Sequence, residues 1–261
     1  MVSIELYLDK SVEQNASIYF EKSKKLKKKM VGANEAIAIY EKKLEKLEKK
    51  KNMEKEEYES KAVESEVKKE WYEKFRWFIS SEGFMVLGGR DATTNEIVIK
   101  KHTSNDDIVF HTDLAGSPFF VIQTEGKKVG KATLNETADA TVTFSRVFKL
   151  GQSNSPVFYV NPDQVSKEAQ SGEYLTKGAF MIRGKTNYID NKINLAVGKL
   201  EDGRLMAASL ESVKKHCNEF MVLEQGDDKT SQVAKKIKAK LGGQLDDIIR
   251  ILPAGGIKVK K

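Results

Sequence analysis

The sequence is poor in the residues that build disulfide-linked, metal-bound or membrane-spanning proteins. Its 261 residues include one cysteine, Cys217, and three histidines. A single cysteine cannot form an internal disulfide, and His216 beside it does not complete a zinc-ligand set. No run approaches the roughly 18 consecutive apolar residues of a membrane-spanning helix. The first ten residues also lack the apolar core of a signal peptide. These absences predict a reduced, cytoplasmic protein with no metal, no cofactor and no membrane partner.

Sequence motifs of the common enzyme classes are lacking too. The chain has no Walker-type phosphate loop, no G-x-G-x-x-G after a strand, no G-x-S-x-G and no paired-histidine metal motif. His111 and Asp113 would point to one face of a strand, so the carboxylate could orient the imidazole. Without a candidate nucleophile, such a pair is more typical of a structural role.

Lysine is abundant and clustered. The chain has 45 Lys+Arg against 38 Asp+Glu, for a net charge of +7, with lysine-rich runs at 22–29, 49–51, 235–240 and 258–261. Such clusters indicate a polyanionic partner, because each neutralised phosphate releases condensed counterions. A solvated helix face produces the same pattern. Charge therefore indicates a partner without identifying it.

A helical arm is predicted at the N-terminus. Between Val12 and Leu47, apolar residues alternate at spacings of four and three, with Ser23 the one polar residue in the series and no change of phase at Gly32. This is the 3.5-residue repeat of a coiled coil, and Ser11 is placed to cap the helix.

The partner of this helix is predicted to be the next segment. Residues 49–57 are almost wholly charged and are interpreted as an exposed tip, and a looser apolar stripe follows from Tyr58 to Trp71. The pattern favours a long antiparallel helical hairpin. An intermolecular coiled coil has the same heptad pattern and is the competing interpretation.

From residue 71 the pattern changes to short strands and helices without strict alternation, which favours an α+β fold with a mixed β-sheet. A capping box, Thr133–Glu136, predicts the start of a helix that ends near Phe148. Asn187–Asp190 is predicted as a turn. Two polar stretches, 88–96 and 164–178, are predicted as loops whose composition suits contacts to phosphate, ribose and unstacked bases.

Several segments in this part of the chain resemble the NFACT-R domain of the ribosome quality-control factor family. The resemblance rests on Glu70–Phe78, Gly89–Glu96, Asp107–Leu114, Gln164–Lys167, Gly172–Thr176 and Gly178–Lys185. The family was once described as fibronectin-binding or nuclear export mediator factors. The preceding helices resemble its coiled-coil middle region, and the C-terminal part resembles archaeal members. The expected domains are therefore a coiled-coil hairpin (1–70), an NFACT-R RNA-binding domain (71–193) and a small C-terminal α/β module (194–261).

The resemblance implies a function in rescuing stalled ribosomes. Family members bind large ribosomal subunits that carry a stalled peptidyl-tRNA, and they hold tRNA so that untemplated residues extend the nascent chain. The expected partners are tRNA, the ribosomal RNA of the large subunit and the stalled nascent chain. Because the ribosome forms the peptide bonds, the chain is expected not to be an enzyme. The family's N-terminal NFACT and helix-hairpin-helix regions have no counterpart here, so a C-terminal fragment or a split relative is expected.

The candidate RNA-binding residues come from the two polar loops and the strand near His111. Phosphate contacts are predicted for Arg90, Asn95, Lys100, Lys101, Lys167, Lys177, Arg183 and Lys185, and base or ribose contacts for His111, Gln164, Ser166 and Tyr174. Asp91, Asp113, Ser117 and Glu173 complete the predicted site. Two rival hypotheses are an RNA-modifying enzyme that uses His111 and Asp113, and a protein–protein adaptor built on the coiled coil.

Overall fold

The computed structural model describes residues 4–63, 69–168 and 175–260, with the side chains of residues 49–63 excepted. The chain divides into two compact units, Met1–Lys69 and Glu70–Lys261. Each unit has its own architecture.

The smaller unit is dominated by one helix, α1 (Val12–Val63), of 52 residues. At 1.5 Å per residue it is about 78 Å long. Ser11 caps it, as predicted: its hydroxyl accepts a hydrogen bond from the backbone N–H of Gln14 at 3.3 Å. The apolar residues of the heptad pattern, such as Leu26, Ile37 and Leu44, are exposed. No helix among the described residues is both long and apolar enough to cross a membrane.

The structure differs from the predicted hairpin at its tip. α1 continues through residues 49–57 to Val63, so no return arm begins at Tyr58. Lysine and glutamate are good helix formers, and this stretch has no glycine or proline to end a helix. Val67, in the predicted return stripe, lies outside the described residues.

The larger unit begins with a 3₁₀ turn and is built on a six-stranded sheet. In chain order its strands are β1 (Arg76–Ile79), β2 (Met85–Gly88), β3 (Ile108–Thr112), β4 (Phe120–Gln123), β5 (Val157–Val160) and β8 (Asn187–Ile189). Their spatial order is β1-β2-β4-β3-β5-β8. Helix α2 (Ala92–Lys101) connects β2 to β3, and helices α3 (Lys131–Thr143) and α4 (Arg146–Lys149) connect β4 to β5.

A second sheet and a short hairpin complete this unit. The second sheet has the order β10-β9-β11-β12. Its strands are β9 (Leu195–Lys199), β10 (Leu205–Ala208), β11 (Glu219–Asp228) and β12 (Ile257–Val259), and its helices are α5 (Leu210–His216), α6 (Thr230–Leu241) and α7 (Leu245–Ile251). The hairpin pairs β6 (Val165–Ser166) with β7 (Met181–Ile182).

One hydrophobic cluster contains buried side chains from both sheets. Phe78, Phe110 and Phe120 come from the first sheet, and Met206 and Leu223 from the second. Burying each such side chain stabilises the fold by about 1.5–3 kcal/mol. The predicted α+β class is confirmed. The division of residues 70–261 at residue 193 stays a prediction.

The observed sheets differ from the predicted mixed sheet. Every strand pairing in the part of the chain that the structure describes is antiparallel. Asn187–Ile189, predicted as a turn, forms strand β8 at the edge of the first sheet. Its pairing with β5 supplies backbone hydrogen bonds that the local turn-like composition does not reveal.

The predicted capping box at Thr133 is wrong. α3 begins at Lys131 with Gly130 as its N-cap, so Thr133 lies inside the helix and is buried. Glu136 instead accepts hydrogen bonds from the Ser81 backbone N–H and the Ser212 hydroxyl, both at 2.9 Å. The helix also does not continue to Phe148. Ser145 starts a separate turn, α4, by accepting the Val147 N–H at 3.1 Å.

Candidate nucleic-acid interface

A cavity of about 340 Å³ lies beside the end of β2, the β3–β4 connection and residues 176–182. Its cationic lining comes from Arg76, Arg90 and Lys177, and its apolar lining includes Phe119 and Phe180. We call this cavity the arginine pocket. The strands β1 and β2 supply its rigid base, and loops supply its rim.

Arg76 lies on β1, and its guanidinium contacts a backbone carbonyl and an aromatic ring but no carboxylate of the described residues. Its guanidinium donates to the Leu252 carbonyl at 3.3 Å and lies 4.3 Å from the centre of the Phe144 ring. Burial, together with the nearby charge of Arg90, lowers the pKa of Arg76 to about 9. The side chain stays protonated at neutral pH, in a setting that disfavours its charge.

Arg90 follows β2 directly and is half-buried. Its Nε is buried and has no hydrogen-bond partner among the described residues. Burial and the neighbouring Arg250 lower the pKa of Arg90, and Asp247 and Asp91 partly offset this. A buried donor without an acceptor is unfavourable, so Arg90 is held here at a cost in free energy.

The predicted polar loop 88–96 is wrong, because its second half forms the start of α2. Asp91 is the N-cap and accepts the Thr94 N–H at 2.8 Å. Asn95 is buried and accepts the Phe119 N–H at 3.2 Å. A Cβ at Gly89 would lie 1.8 Å from the Asn95 side-chain oxygen, so the strand end and the helix are in close contact. Asn95 therefore supports the pocket from the interior.

Replacing Asp91 with alanine is expected to lower the free energy of unfolding by about 1 kcal/mol at pH 7, the usual effect of losing an N-cap. The hydrogen bond from the Thr94 N–H lowers the pKa of Asp91 below its ordinary value of 3.8. The stabilisation is therefore complete above about pH 4 and is lost as pH falls through the lowered value. Urea unfolding of parent and variant at pH 7 and at decreasing pH measures this. Asp91→Asn, which retains a capping oxygen, should lose less stability than Asp91→Ala at pH 7. In both variants the loss relative to the parent should shrink as pH falls through the lowered value, because only the parent titrates there, and an equal loss in both variants at pH 7 would contradict the role.

His111 and Asp113, the pair of the rival enzyme hypothesis, do not hydrogen-bond to each other. The His111 ring N–H donates to the Ser117 carbonyl at 3.2 Å, and the ring stacks on Phe119 at 4.1 Å between centroids. Asp113 instead accepts the Tyr188 hydroxyl at 3.2 Å. β3 ends at Thr112, so strand alternation does not extend to Asp113. Burial lowers the pKa of His111 despite the Ser117 bond.

Ser117 is also an interior residue. It is buried, and its hydroxyl pairs with that of Thr112 and donates to the Leu114 carbonyl at 2.9 Å. The β3–β4 connection is thus closed by its own hydrogen bonds, and Ser117 holds the pocket rim in place.

Gln164 and Lys167 attach the other rim to the body of the unit. Gln164 donates to the carbonyls of Arg183 and Lys185 at 2.8 and 3.0 Å. Lys167 pairs with Glu96 on α2 at 2.6 Å and lies 4.8 Å from the centre of the Phe180 ring. Its charge is therefore already engaged, and it positions residues of the pocket wall.

Glu96 is the common acceptor of this attachment. The Lys167 ammonium and the Gly178 N–H, the latter at 3.0 Å, lower the pKa of Glu96 to about 2. Lys100 is 3.7 Å from the same carboxylate.

Two further predicted contact residues, Ser166 and Arg183, form hydrogen bonds to the backbone of Glu168. Ser166 accepts the Glu168 N–H at 3.3 Å, and Arg183 donates to the Glu168 carbonyl at 3.5 Å.

Three predicted lysines remain available to a ligand. Lys101, Lys177 and Lys185 are exposed and form no ion pair with the described residues. Lys177 lines the arginine pocket. The predicted contacts of Glu173 and Tyr174 lie outside the described residues and stay predictions.

Sequence reasoning missed Arg76 and Phe180 as pocket residues, although both fall in the segments that resemble NFACT-R. It also missed Arg146, whose Nε would be 3.6 Å from a Cβ at Gly116 on the pocket lining. A signal was present in the sequence: arginine is rare in this lysine-rich chain. Its positions could have been examined separately from those of lysine.

The residues that line the arginine pocket fall within a part of the chain that matches a known family. Residues 74–184 match the family described as the NFACT protein RNA binding domain. Over 76% of its length, this chain is 42% identical to an archaeal Rqc2 homolog, aRqcH, of Methanocaldococcus jannaschii, and it covers 31% of that protein. Over 64% of its length it is 36% identical to the ribosome quality control complex subunit NEMF homolog of Drosophila melanogaster, covering 16% of it. Over 46% of its length it is 42% identical to human NEMF, covering 11% of it. The chain thus spans a third or less of the length of these relatives.

Proposed function

Since this chain belongs to the ribosome quality-control NFACT family through its RNA-binding domain, we propose that it binds RNA at the surface around the arginine pocket. Its RNA partners are tRNA and the ribosomal RNA of the large subunit. It acts in the cytoplasm on stalled large subunits and supports untemplated C-terminal tailing of the nascent chain, which is a third partner. The ribosome forms the peptide bonds, so the chain itself acts by positioning tRNA.

One observation carries the proposal. The region that matches the RNA-binding family contains, at and near the arginine pocket, cationic side chains that form no direct ion pair with a carboxylate of the described residues: Arg76, Arg90, Lys101 and Lys177. Phosphate oxygens are the acceptors that such groups contact in RNA complexes. Lys185, one residue beyond the match, extends the same set.

Replacing Lys101, Lys177 and Lys185 together with glutamine is expected to weaken tRNA binding about 100-fold at 0.15 M salt. Each phosphate contact contributes about 0.7–0.9 to the slope of log K against log salt, so the slope should fall by about 2–3. Fluorescence anisotropy with labelled tRNA, titrated at several salt concentrations, measures both quantities.

The matched control replaces Lys199, Lys214 and Lys235, which are exposed, lie outside residues 74–184 and are not part of the pocket lining, with glutamine. It changes the net charge equally, so affinity should fall much less and the slope should stay near the parental value. Equal losses in the two triple variants would show that binding depends on net charge alone and would refute the assignment of the surface.

A second function, that of a protein–protein adaptor, is favoured by α1. The helix exposes the apolar residues of its heptad pattern, including Met30, Tyr40 and Leu47. A protein complex that survives nuclease treatment and high salt, and is lost in Ile37→Glu, would support this function. Loss of the complex on nuclease treatment would refute it.

A further inference from the structure

Arginine is distributed very unevenly in this chain. Six of the 45 basic residues are arginines, and the rest are lysines. Two of the six, Arg76 and Arg90, line the arginine pocket. Arg146 lies beside Gly116 on the pocket lining, and Arg250 is near enough to Arg90 to affect its charge. Four of six arginines thus line one cavity or lie close to its lining, whereas most lysines lie elsewhere on the chain.

Arginine and lysine differ in what they recognise. The guanidinium presents donors in a rigid fork that fits two oxygens of one phosphate, whereas an ammonium acts as a point charge. A concentration of arginine at one cavity therefore indicates a defined anionic group. The exposed lysines suit a diffuse field of phosphates.

The two lining arginines form no direct ion pair. Neither Arg76 nor Arg90 lies within ion-pair distance of a carboxylate of the described chain, although Asp91 lines the same pocket and acts, with Asp247, as a nearby charge on Arg90. Removing a cation from water is unfavourable unless it is paired. An anion in the pocket would bring a counter-charge to both guanidinium groups.

The rest of the pocket fits the remainder of a nucleotide. Its volume of about 340 Å³ is at the lower end of the range for small-molecule sites. Phe180 stands edge-on to Phe119 at 5.4 Å, and both rings belong to the lining. Phe119 is almost fully buried and stacked on His111, so it supports Phe180, whose partly exposed ring can contact a base while the charged side holds the phosphate.

We propose that the arginine pocket binds a single nucleotide unit of RNA, with its phosphate on Arg76 and Arg90 and its base against Phe180. This inference rests on the proposed function, since the nucleotide belongs to bound RNA. It makes the pocket a specific point of attachment within a diffuse cationic surface. A free nucleoside monophosphate has the same chemistry, and the experiment separates these two sources.

The first test uses small probes on the full chain. Adenosine 5′-monophosphate, adenosine and orthophosphate are titrated at constant ionic strength, with heteronuclear NMR or isothermal calorimetry as the measurement. The monophosphate should bind more tightly than either orthophosphate or adenosine, because only it occupies both sides of the pocket. A short single-stranded RNA should then displace it.

The second test removes the charge inside the pocket. Arg90→Met should weaken binding of the monophosphate about 10- to 100-fold, the usual effect of losing a hydrogen bond to a charged group. Its melting temperature without ligand should equal or exceed that of the parent, because a poorly compensated charge is removed. Arg90→Lys keeps the charge but not the fork and should give an intermediate affinity. Lys235→Gln, an exposed change of equal charge, should leave monophosphate affinity at the parental value.

The outcomes separate the two proposals. RNA binding without any binding of the monophosphate would overturn the pocket assignment and leave the proposed function standing. Loss of both would overturn the proposed function. Monophosphate binding that RNA does not displace would overturn the assignment to RNA in favour of a free nucleotide. A large drop in melting temperature in Arg90→Met would show that Arg90 serves the fold.

Discussion

Replacing Phe120 with alanine is expected to lower the free energy of unfolding by about 3–5 kcal/mol, which is typical of deleting a buried phenylalanine ring. Phe120 lies on β4, an interior strand of the six-stranded sheet, and is fully buried. Its ring approaches Phe78 and Phe144 at 6.5 and 6.1 Å between centroids. Nothing around it can close the space easily, because the neighbouring strands are paired on both sides. Denaturant unfolding followed by circular dichroism measures the change.

Gly88 offers a way to test this packing directly. It is the register partner of Phe120, and a Cβ at Gly88 would lie 2.3 Å from the phenyl ring. Gly88→Ala alone should therefore lower stability by about 1–3 kcal/mol through overpacking. In the double variant the new methyl group enters the space that the ring has left. The combined loss should be smaller than the sum of the two single losses by at least about 1 kcal/mol.

A distant pair serves as the control for this cycle. Leu223 is fully buried in the second sheet, so Gly88→Ala and Leu223→Ala should add to within about 0.5 kcal/mol. If the losses in free energy of unfolding for Gly88→Ala and Phe120→Ala were additive, the methyl group at residue 88 and the Phe120 ring would not compete for the same space.

The strands of the larger unit were the easiest elements to predict. Ile108–Thr112 and Val157–Val160 are largely apolar runs bounded by turn residues, a pattern typical of strands, and both form strands over these residues. Their burial on both faces produces the continuous apolar pattern. Asn187–Ile189 could not be found in this way, because an exposed edge strand has little apolar content and depends on its partner for its hydrogen bonds.

The helices show where local signals conflict with tertiary structure. At Thr133 the capping sequence is present, but Glu136 forms buried hydrogen bonds with Ser81 and Ser212 instead of completing a cap. Asp91 is an N-cap, but it lies in the stretch 88–96 that was predicted as a polar loop. Short polar residues suit both caps and turns, so spacing alone cannot separate the two.

The candidate site was predicted by composition but not by role. Lysines 101, 177 and 185 are exposed, as a phosphate contact requires. Asn95, Ser117 and Gln164 were predicted as RNA contacts on the same grounds of polar composition. They instead form internal hydrogen bonds that hold the loops. Their positions in the sequence do not reveal which oxygen or nitrogen the backbone already uses.

Gly178→Ala is expected to displace residues 176–182, which line one side of the arginine pocket. Gly178 has φ of +80°, and its Cβ would lie 2.5 Å from the Cα and 2.8 Å from the carbonyl oxygen of Ala92. The positive φ alone costs about 1–2 kcal/mol for alanine. The clash is with the backbone of α2, which is fixed by the Asp91 cap and cannot retreat as a side chain can. The segment that carries residue 178 and Phe180 must therefore move away from α2, which breaks the hydrogen bond from the backbone N–H of residue 178 to Glu96.

We expect monophosphate and tRNA affinities of Gly178→Ala to fall at least about tenfold, with a loss of about 2–4 kcal/mol in the free energy of unfolding. Gly203 is the matched control: its φ is +88°, but nothing lies within 4 Å of its would-be Cβ. Gly203→Ala should thus lose only the backbone part and keep parental affinity. Adding Ala92→Gly to Gly178→Ala should not restore binding, because the backbone atoms that clash are still present. Parental affinity in Gly178→Ala, or its recovery in that double variant, would mean that the close approach of the two backbones does not shape the pocket.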